Sequence, residues 1–183
     1  MRFLIFLVFI FYINPSYSAT DDWTSYGKGS GGGHFSKADE ITPENVKKLE
    51  RVWVHRSGDY KGGANSAGVK GGEYQTSFQA TPLLVDDTLF YCTSYNRVFA
   101  LDPETGKEKW VFDPKLKKDG RAILACRGLS SWKDETKSSS EKCHHRIMGV
   151  TIDAELFSID GKSGEICNDF GNNGRVNLRE GLG

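Results

Sequence analysis

The sequence lacks an excess of charge of either sign, since 24 Lys and Arg residues balance 24 Asp and Glu residues. It therefore offers neither a basic groove for nucleic acid nor a polybasic patch for a membrane surface. Proline is scarce, with 5 in 183 residues, whereas glycine is abundant, with 21. This composition is typical of a β-rich globular protein rather than a disordered chain.

The sequence also lacks an apolar run long enough to span a membrane, which takes about 20 residues. Its N-terminal run, residues 3–13, is uncharged and short, as in the apolar region of a signal peptide. Ser16 and Ser18 put small residues at positions −3 and −1 of a cleavage site. We expect residues 1–18 to be a signal peptide; cleavage after Ala19 and an uncleaved anchor are the alternatives. The mature chain is then periplasmic or secreted, with membrane association left open.

One phrase occurs twice in the chain. The sequence Leu-Asp-Pro-Glu-Thr-Gly-Lys at residues 101–107 is echoed by Ile-Asp-Gly-Lys-Ser-Gly-Glu at residues 159–165, so Asp102 and Asp160 stand 58 residues apart. Such a recurrence between short β-type runs indicates radially repeated β-sheets. In each turn the aspartate is expected to cap backbone N–H groups, and glycine supplies a positive φ.

The first copy closes a well-defined four-stranded meander, one blade of a β-propeller. Its predicted strands are residues 81–85, 88–93, 97–102 and 107–112. Trp110, on the last strand, has a large face to bury against the neighbouring blade. A second, looser blade is predicted from strands at residues 124–132, 146–151, 155–160 and 165–170. There Asn168 takes the place of Trp110, so the packing residue is missing.

Upstream of the blades the sequence predicts a short helix and a strand. Thr42 is the expected N-cap, Pro43 the first helical residue, and Val46 and Leu49 the residues facing the core. A strand is expected at residues 51–56, followed by a glycine-rich loop. The mature chain is long enough for two blades and part of a third, whereas a closed propeller needs about 4–8 blades. We therefore expect the opening part of a larger protein.

These residues together resemble the pyrroloquinoline-quinone (PQQ) dependent dehydrogenases, in particular the glucose and quinate dehydrogenase branch. The resemblance covers essentially the whole mature chain, residues 19–183. Four stretches carry it. The opening Asp-Trp and His-Phe-Ser motifs lie within residues 22–36, and the segment that ends in Arg-Ser-Gly-Asp spans residues 41–59. The tryptophan-docking motif spans residues 100–110, and Cys-Arg-Gly-Leu-Ser spans residues 126–130.

The resemblance implies an eight-bladed propeller with PQQ near its axis and Ca²⁺ beside the quinone. It implies oxidation of an alcohol, sugar or polyol, with electrons passed to a quinone or cytochrome. The aspartate base and the Ca²⁺ ligands are expected beyond Gly183, so the chain alone should be inactive. The alternative is a non-catalytic propeller of the same repeat that serves as a binding or assembly scaffold.

Two positions match cofactor contacts of that family. Arg127 matches the arginine that reaches PQQ, and a planar cation with five donors suits a ligand with three carboxylates and quinone oxygens. Gln79 stands where relatives carry a glutamate that bonds to the cofactor, and keeps an acceptor without the charge. Ile123 departs from the pattern, because relatives place a polar residue or a nearby cysteine pair over the ring.

The remaining motifs favour structural roles. The G-x-G-x-x-G pattern at residues 27–32 has no preceding strand, so a nucleotide loop is not expected. Cys143, His144 and His145 point to alternate faces of a strand and cannot easily share a metal ion. Four cysteines allow three pairings. We predict a Cys143–Cys167 disulfide, because both residues lie at strand ends of the second blade, together with exposed histidines; a Cys92–Cys126 pair is the less certain addition.

Overall fold

The computed structural model describes residues 22–28, 31–59, 75–116 and 123–181. The predicted signal peptide, residues 1–18, lies outside them. The described residues form a 3₁₀ turn, Val46–Lys48, and ten strands: β1 Gln75–Thr81, β2 Leu83–Val85, β3 Thr88–Cys92, β4 Val98–Leu101, β5 Glu108–Phe112, β6 Ile123–Gly128, β7 Ser130–Lys133, β8 His145–Val150, β9 Glu155–Asp160 and β10 Arg175–Asn177. None of the helices found among these residues could cross a membrane, since each is too short or too polar.

Two antiparallel four-stranded sheets hold most of these strands. The first blade is β2-β3-β4-β5 and the second is β7-β8-β9-β10, each in sequence order across the sheet. Strand bounds in the first blade agree with the prediction to within about two residues. The structure thus confirms an all-β chain made of four-stranded antiparallel propeller blades, with the ring incomplete in the described part.

The first blade is buried on both faces. Its β4 is buried throughout because alternate residues enter two different cores. Val98 and Ala100 join the main core, which the two blades share, whereas Phe99 and Leu101 join a smaller core on the opposite face. Trp53 packs on that smaller core. The blade is therefore an inner layer between its neighbour and the chain that precedes it.

Two of the strands predicted for the second blade differ from those in the structure. The strand expected at residues 124–132 is interrupted at Leu129, so β6 leaves the blade and only β7 pairs with β8. Residues 165–170 form no strand, and β10 pairs with β9 instead. The physical reason is local: the disulfide of Cys167 and a run of positive φ angles at Gly171, Asn173 and Gly174 reverse the chain before it returns to β9.

The segment before the blades also differs from the prediction. The helix is a single 3₁₀ turn with Asn45 at its N-cap position and no side-chain capping bond, rather than a helix beginning at Pro43, and Val46 and Leu49 are exposed. Asn45 accepts a hydrogen bond from the Thr42 N–H, the reverse of the expected cap. Residues 51–56 do not pair as a strand, although their exposure alternates from Val52 onwards, with Trp53 and His55 half-buried between exposed neighbours.

Candidate functional site

The sequence did not predict a parallel pair of strands that leads into the two blades. Strand β1 runs into the first blade and β6 into the second, and they pair side by side in parallel. Phe78 lies opposite Cys126 and Thr81 lies opposite Gly128, so two residues of β1 face the single residue Arg127. This arrangement is a β-bulge, a feature that often re-aims a side chain beside a functional site.

The bulge brings the two predicted cofactor contacts together. Gln79 is one of the two β1 residues that face Arg127, although 48 positions separate them in the sequence. Both side chains are exposed. In the family pattern these are the residues expected at PQQ, and the structure sets them next to each other on neighbouring strands.

Arg127 is exposed, whereas Leu124 and Cys126 on the opposite face of β6 are buried. Its guanidinium makes no hydrogen bond or ion pair with the residues that the structure describes. The Gln79 amide nitrogen donates to Ser77 Oγ at 2.9 Å, which leaves the amide oxygen as an acceptor at the bulge. A free planar cation beside an amide suits a ligand that carries carboxylate or quinone oxygens.

The bulge is held by contacts from the first blade. A disulfide joins Cys126 on β6 to Cys92 at the end of β3, with 5.9 Å between the Cα atoms. Cys92 is fully buried in the main core. The pairing that the sequence left less certain is thus present, and it ties the residue next to Arg127 to a rigid strand.

A cleft of about 420 Å³ opens beside Arg127. Its walls include Gly128 and the β8 residues Met148 and Val150. These two alternate along β8 with the core residue Ile147, so they point to the face turned away from the shared core. Arg127 therefore lies where the parallel pair meets the face of β8 that is turned away from the shared core.

Tryptophan docking fixes how the blades sit on one another. Trp110 donates from its indole N–H to the Gly161 carbonyl oxygen at 3.2 Å and packs on Gly164. Trp53 repeats this contact one unit earlier, with its N–H on the Pro103 carbonyl oxygen at 3.1 Å and its ring on Gly106. The prediction for Trp110 is confirmed. The role of Trp53 was missed because it lies in the segment before the first predicted blade, although its partner turn is as distant in sequence as that of Trp110.

The repeated aspartates act as the turn chemistry predicts. Asp102 accepts hydrogen bonds from the Thr105 N–H and hydroxyl at 2.8 and 2.7 Å. Asp160 does the same with Ser163 at 2.9 Å and also accepts from the Cys143 N–H at 2.7 Å. Hydrogen bonds from Thr105 hold the pKa of Asp102 below its ordinary value.

The Cys143–Cys167 disulfide that the sequence predicted is present, with 5.9 Å between the Cα atoms. One cluster with metal-binding spacing in the described part of the chain combines these two cysteines with Asp169. Sulfur atoms in a disulfide are not thiolates, so this cluster does not fit a metal ion.

The histidines correct one expectation. His145 is buried rather than exposed, and its Nε2 lies 2.9 Å from Ser131 Oγ. Burial lowers its pKa, so the imidazole is a neutral part of the contact between the blades. His144 is half-buried, with its Nδ1 near the carbonyl oxygens of Asp134 and Lys137. His144 and Cys143 lie in the turn before β8 rather than on the strand, so the expected alternation of strand faces does not apply to them.

A second polar group was not predicted. His55 lies between Glu108 and Tyr91, with Nε2 to Glu108 Oε1 at 2.7 Å and Nδ1 to the Tyr91 hydroxyl at 2.5 Å. Burial raises the pKa of Tyr91 to about 12, so the phenol stays protonated. His55 and Tyr91, but not Glu108, line a mostly apolar cleft of about 620 Å³ beside Trp53. No local pattern could reveal it, because its members lie on separate segments.

Two motifs are only partly described. Residues 29 and 30 of the glycine pattern lie outside the described residues. The backbone of Ile123 pairs with Gln75 at the start of the parallel pair, but its side chain lies outside the described part of the structure. Its expected position over the cofactor ring stays a prediction.

Comparison with known proteins gives a consistent set of matches. The family model for the glucose/ethanol/alcohol dehydrogenase β-propeller domain, labelled PQQ, matches residues 23–183. Quinoprotein glucose dehydrogenase A of Acinetobacter calcoaceticus is 36% identical over 174 residues, covering 88% of this chain and 21% of that protein. Quinate/shikimate dehydrogenase (quinone) of Acinetobacter baylyi is 34% identical over 178 residues, with the same two shares.

A solved structure shows the same fold. The crystal structure of quinohemoprotein alcohol dehydrogenase from Comamonas testosteroni superposes with a TM-score of 0.62 at 23% identity, covering 90% of this chain and 20% of that one. The chain thus spans about a fifth of the length of the curated relatives that it matches.

Proposed function

Because the chain belongs to the PQQ-dependent glucose/ethanol/alcohol dehydrogenase β-propeller family, we propose that it supplies the opening blades of a PQQ-dependent dehydrogenase. The observation that carries this proposal is the bulge between β1 and β6. There Gln79 and Arg127, distant in sequence, lie side by side with a guanidinium that has no partner among the described residues. A guanidinium without a partner among the described residues, on a strand tied by a disulfide, is suited to a bound anion.

The residues at the bulge fit PQQ. Arg127 would meet its carboxylate or quinone oxygens through charge-assisted hydrogen bonds, and Gln79 would add an acceptor from its amide oxygen. When bound, PQQ supplies the redox chemistry of oxidising a substrate CH–OH group to a carbonyl, in which the substrate loses two electrons and two protons. The task of this chain is to bind and orient PQQ. The parallel pair and the Cys92–Cys126 disulfide serve this task by holding Arg127 on a fixed strand.

The substrate and the electron acceptor follow from relatives rather than from the bulge. The names of two relatives specify glucose and quinate or shikimate, and one of them names a quinone. The proposal therefore assigns an alcohol, sugar or polyol substrate and a quinone or cytochrome acceptor. Ca²⁺ would polarise the cofactor, with its ligands and the aspartate base in sequence beyond Gly183.

The site of action in this proposal is the periplasm. It rests on the signal-peptide pattern of residues 1–18 and on the two disulfides, which persist in an oxidising compartment. Sequencing the N-terminus of the exported protein tests it, and a mature protein that begins at residue 19 or 20 is expected.

The decisive experiment uses the full-length protein that contains this chain, expressed without PQQ and then titrated with PQQ and Ca²⁺. PQQ binding is monitored by the absorbance of the quinone. Turnover is monitored by reduction of a dye, with glucose, quinate or glycerol as substrate. We expect saturable uptake of PQQ and oxidation of at least one substrate. A protein that folds but takes up no PQQ would contradict the proposal and favour the scaffold alternative.

A further inference from the structure

We propose that Asn96 is a positioning residue for the cofactor contact: from the turn between β3 and β4 it fixes the strand that carries Arg127. This inference rests on the proposed function, because it takes Arg127 as the residue that contacts PQQ. It assigns a role to a residue whose side-chain hydrogen bonds go to Ala125 and Ile152 and not to Arg127 or Gln79.

Asn96 uses both ends of its side-chain amide. It is only 2% exposed. Its Nδ2 donates to the carbonyl oxygen of Ala125 at 3.3 Å, two residues before Arg127. Its Oδ1 accepts from the backbone N–H of Ile152, in the turn between β8 and β9, at 3.0 Å. One partner only accepts and the other only donates, so the orientation of the amide is fixed by its neighbours.

The same turn also holds the partner strand. Ser94 donates from its hydroxyl to the carbonyl oxygen of Ser77 at 3.0 Å. Ser77 and Ala125 face each other across the parallel pair. The turn therefore holds both residues of the Ser77–Ala125 pair by hydrogen bonds. This pair lies one position before the last regular pair of the ladder, after which the bulge begins.

Support of this kind matters at this point of the sheet because the ladder is short. Regular pairing ends at Cys126 and resumes only at Gly128, so Arg127 has no partner of its own in β1. The residues just before it are held from outside the pair: Cys126 by the disulfide and Ala125 by Asn96. Loss of either support leaves the direction of the guanidinium less well defined.

The backbone conformation at residue 96 limits which residue types can stand there and make these two hydrogen bonds. Its φ is +56°, in the left-handed region that asparagine, aspartate and glycine tolerate. Aspartate keeps the acceptor for the Ile152 N–H but replaces the donor to Ala125 with a carboxylate oxygen. Glycine keeps the backbone and removes both hydrogen bonds.

The test measures PQQ affinity in the full-length protein for Asn96→Asp and Asn96→Gly. Loss of one buried hydrogen bond corresponds to about five- to tenfold weaker binding. The matched control is Asn173→Asp, because Asn173 also has a positive φ, of 50°, but is exposed in a turn of the second blade. It should bind PQQ as the parent does.

A double variant separates positioning from general stability. If Asn96 acts through Arg127, Asn96→Asp should weaken PQQ binding in the parent but add nothing in the Arg127→Ala background. Equal weakening in both backgrounds would overturn the inference and leave Asn96 with a structural role only. The same conclusion follows if both Asn96 variants fail to fold while Asn173→Asp folds.

The outcomes also distinguish this inference from the proposed function. If Arg127→Ala itself leaves PQQ affinity unchanged, the assignment of the bulge to the cofactor fails. If Arg127→Ala weakens binding and the Asn96 variants do not, only the positioning role is wrong.

Discussion

Arg127 lies on the exposed face of β6 with no hydrogen bond or ion pair to the described residues, and this sets the first prediction. In the full-length protein Arg127→Ala should weaken PQQ binding about ten- to a hundredfold, because a charge-assisted bond to a shielded anion is worth about 1.5–3 kcal/mol. Arg127→Lys should recover only part of the loss, since an ammonium lacks the planar fork. PQQ titration of the apo-protein measures both.

The control for this prediction is Arg56→Ala. Arg56 is exposed, in the segment before the blades, and should act as a solvated charge of little consequence. Unchanged affinity in Arg127→Ala, or equal losses in the two alanine variants, would remove Arg127 from the cofactor site.

A second residue-scale prediction concerns Asp169, which pairs with the buried Arg146 through two hydrogen bonds of 2.8 and 3.1 Å. These bonds, together with a hydrogen bond of 2.6 Å from the Lys137 ammonium, lower the pKa of Asp169 to about 2. Because the folded pKa is depressed, its stabilising effect is complete above the ordinary carboxyl pKa, about 3.9, and is lost as the pH falls through about 2.

Asp169→Asn should therefore lower the free energy of unfolding near neutral pH by about 1–2 kcal/mol, a value reduced because the carboxylate is half exposed. The difference from the parent should shrink below about pH 4. Urea unfolding at several pH values measures it. Glu165→Gln, which breaks an exposed pair with Lys142, is the matched control and should have little effect; a pH-independent loss in Asp169→Asn would refute the linkage.

At the scale of elements, each docked tryptophan leaves no room for a side chain at the glycine of the turn on which it packs. A Cβ built on Gly164 would lie 2.6 Å from the Trp110 ring, and the φ of Gly164 is +72°. Gly164→Ala should lower the free energy of unfolding by about 1–3 kcal/mol through strain and displacement of the ring. Thermal and urea unfolding test this. In Gly33→Ala the added Cβ would meet nothing within 4 Å, so equal losses in the two variants would contradict the docking argument.

Elements also show where local patterns decide structure. The strands of the first blade and the turn built on Asp102 and Gly106 were predicted, because alternation and turn chemistry act between near neighbours in sequence. Strand β10 was not, since nothing between residues 165 and 170 indicates that the strand is displaced to Arg175–Asn177. The disulfide of Cys167 and the positive φ angles that follow it decide that path.

At the scale of the whole molecule, two blades leave apolar surface uncovered. Phe78, on β1 of the parallel pair, is 62% exposed, and Val150, on β8 of the second blade, is 50% exposed. Repeated sheets bury such faces against further blades. We predict that this chain alone, supplied with PQQ and Ca²⁺, has no dehydrogenase activity with glucose, quinate or an alcohol.

Dye-linked turnover by the isolated 183-residue chain is the measurement, with the full-length protein as the positive control. Turnover by the chain alone would show that the two blades hold a complete catalytic site, against the expectation that the base and the metal ligands lie elsewhere.

The sequence by itself determined the all-β class, the repeat and the first blade, because each depends on spacing or turn chemistry within a short stretch. Its resemblance to the family implied the candidate cofactor residues. Only the tertiary structure decided that β1 exists and pairs with β6, that a bulge sets Gln79 beside Arg127, and that Trp53 docks on the turn after Pro103. These are contacts between residues about 50 positions apart. Such contacts form only when consecutive blades stack, and no local pattern of polar and apolar residues specifies them.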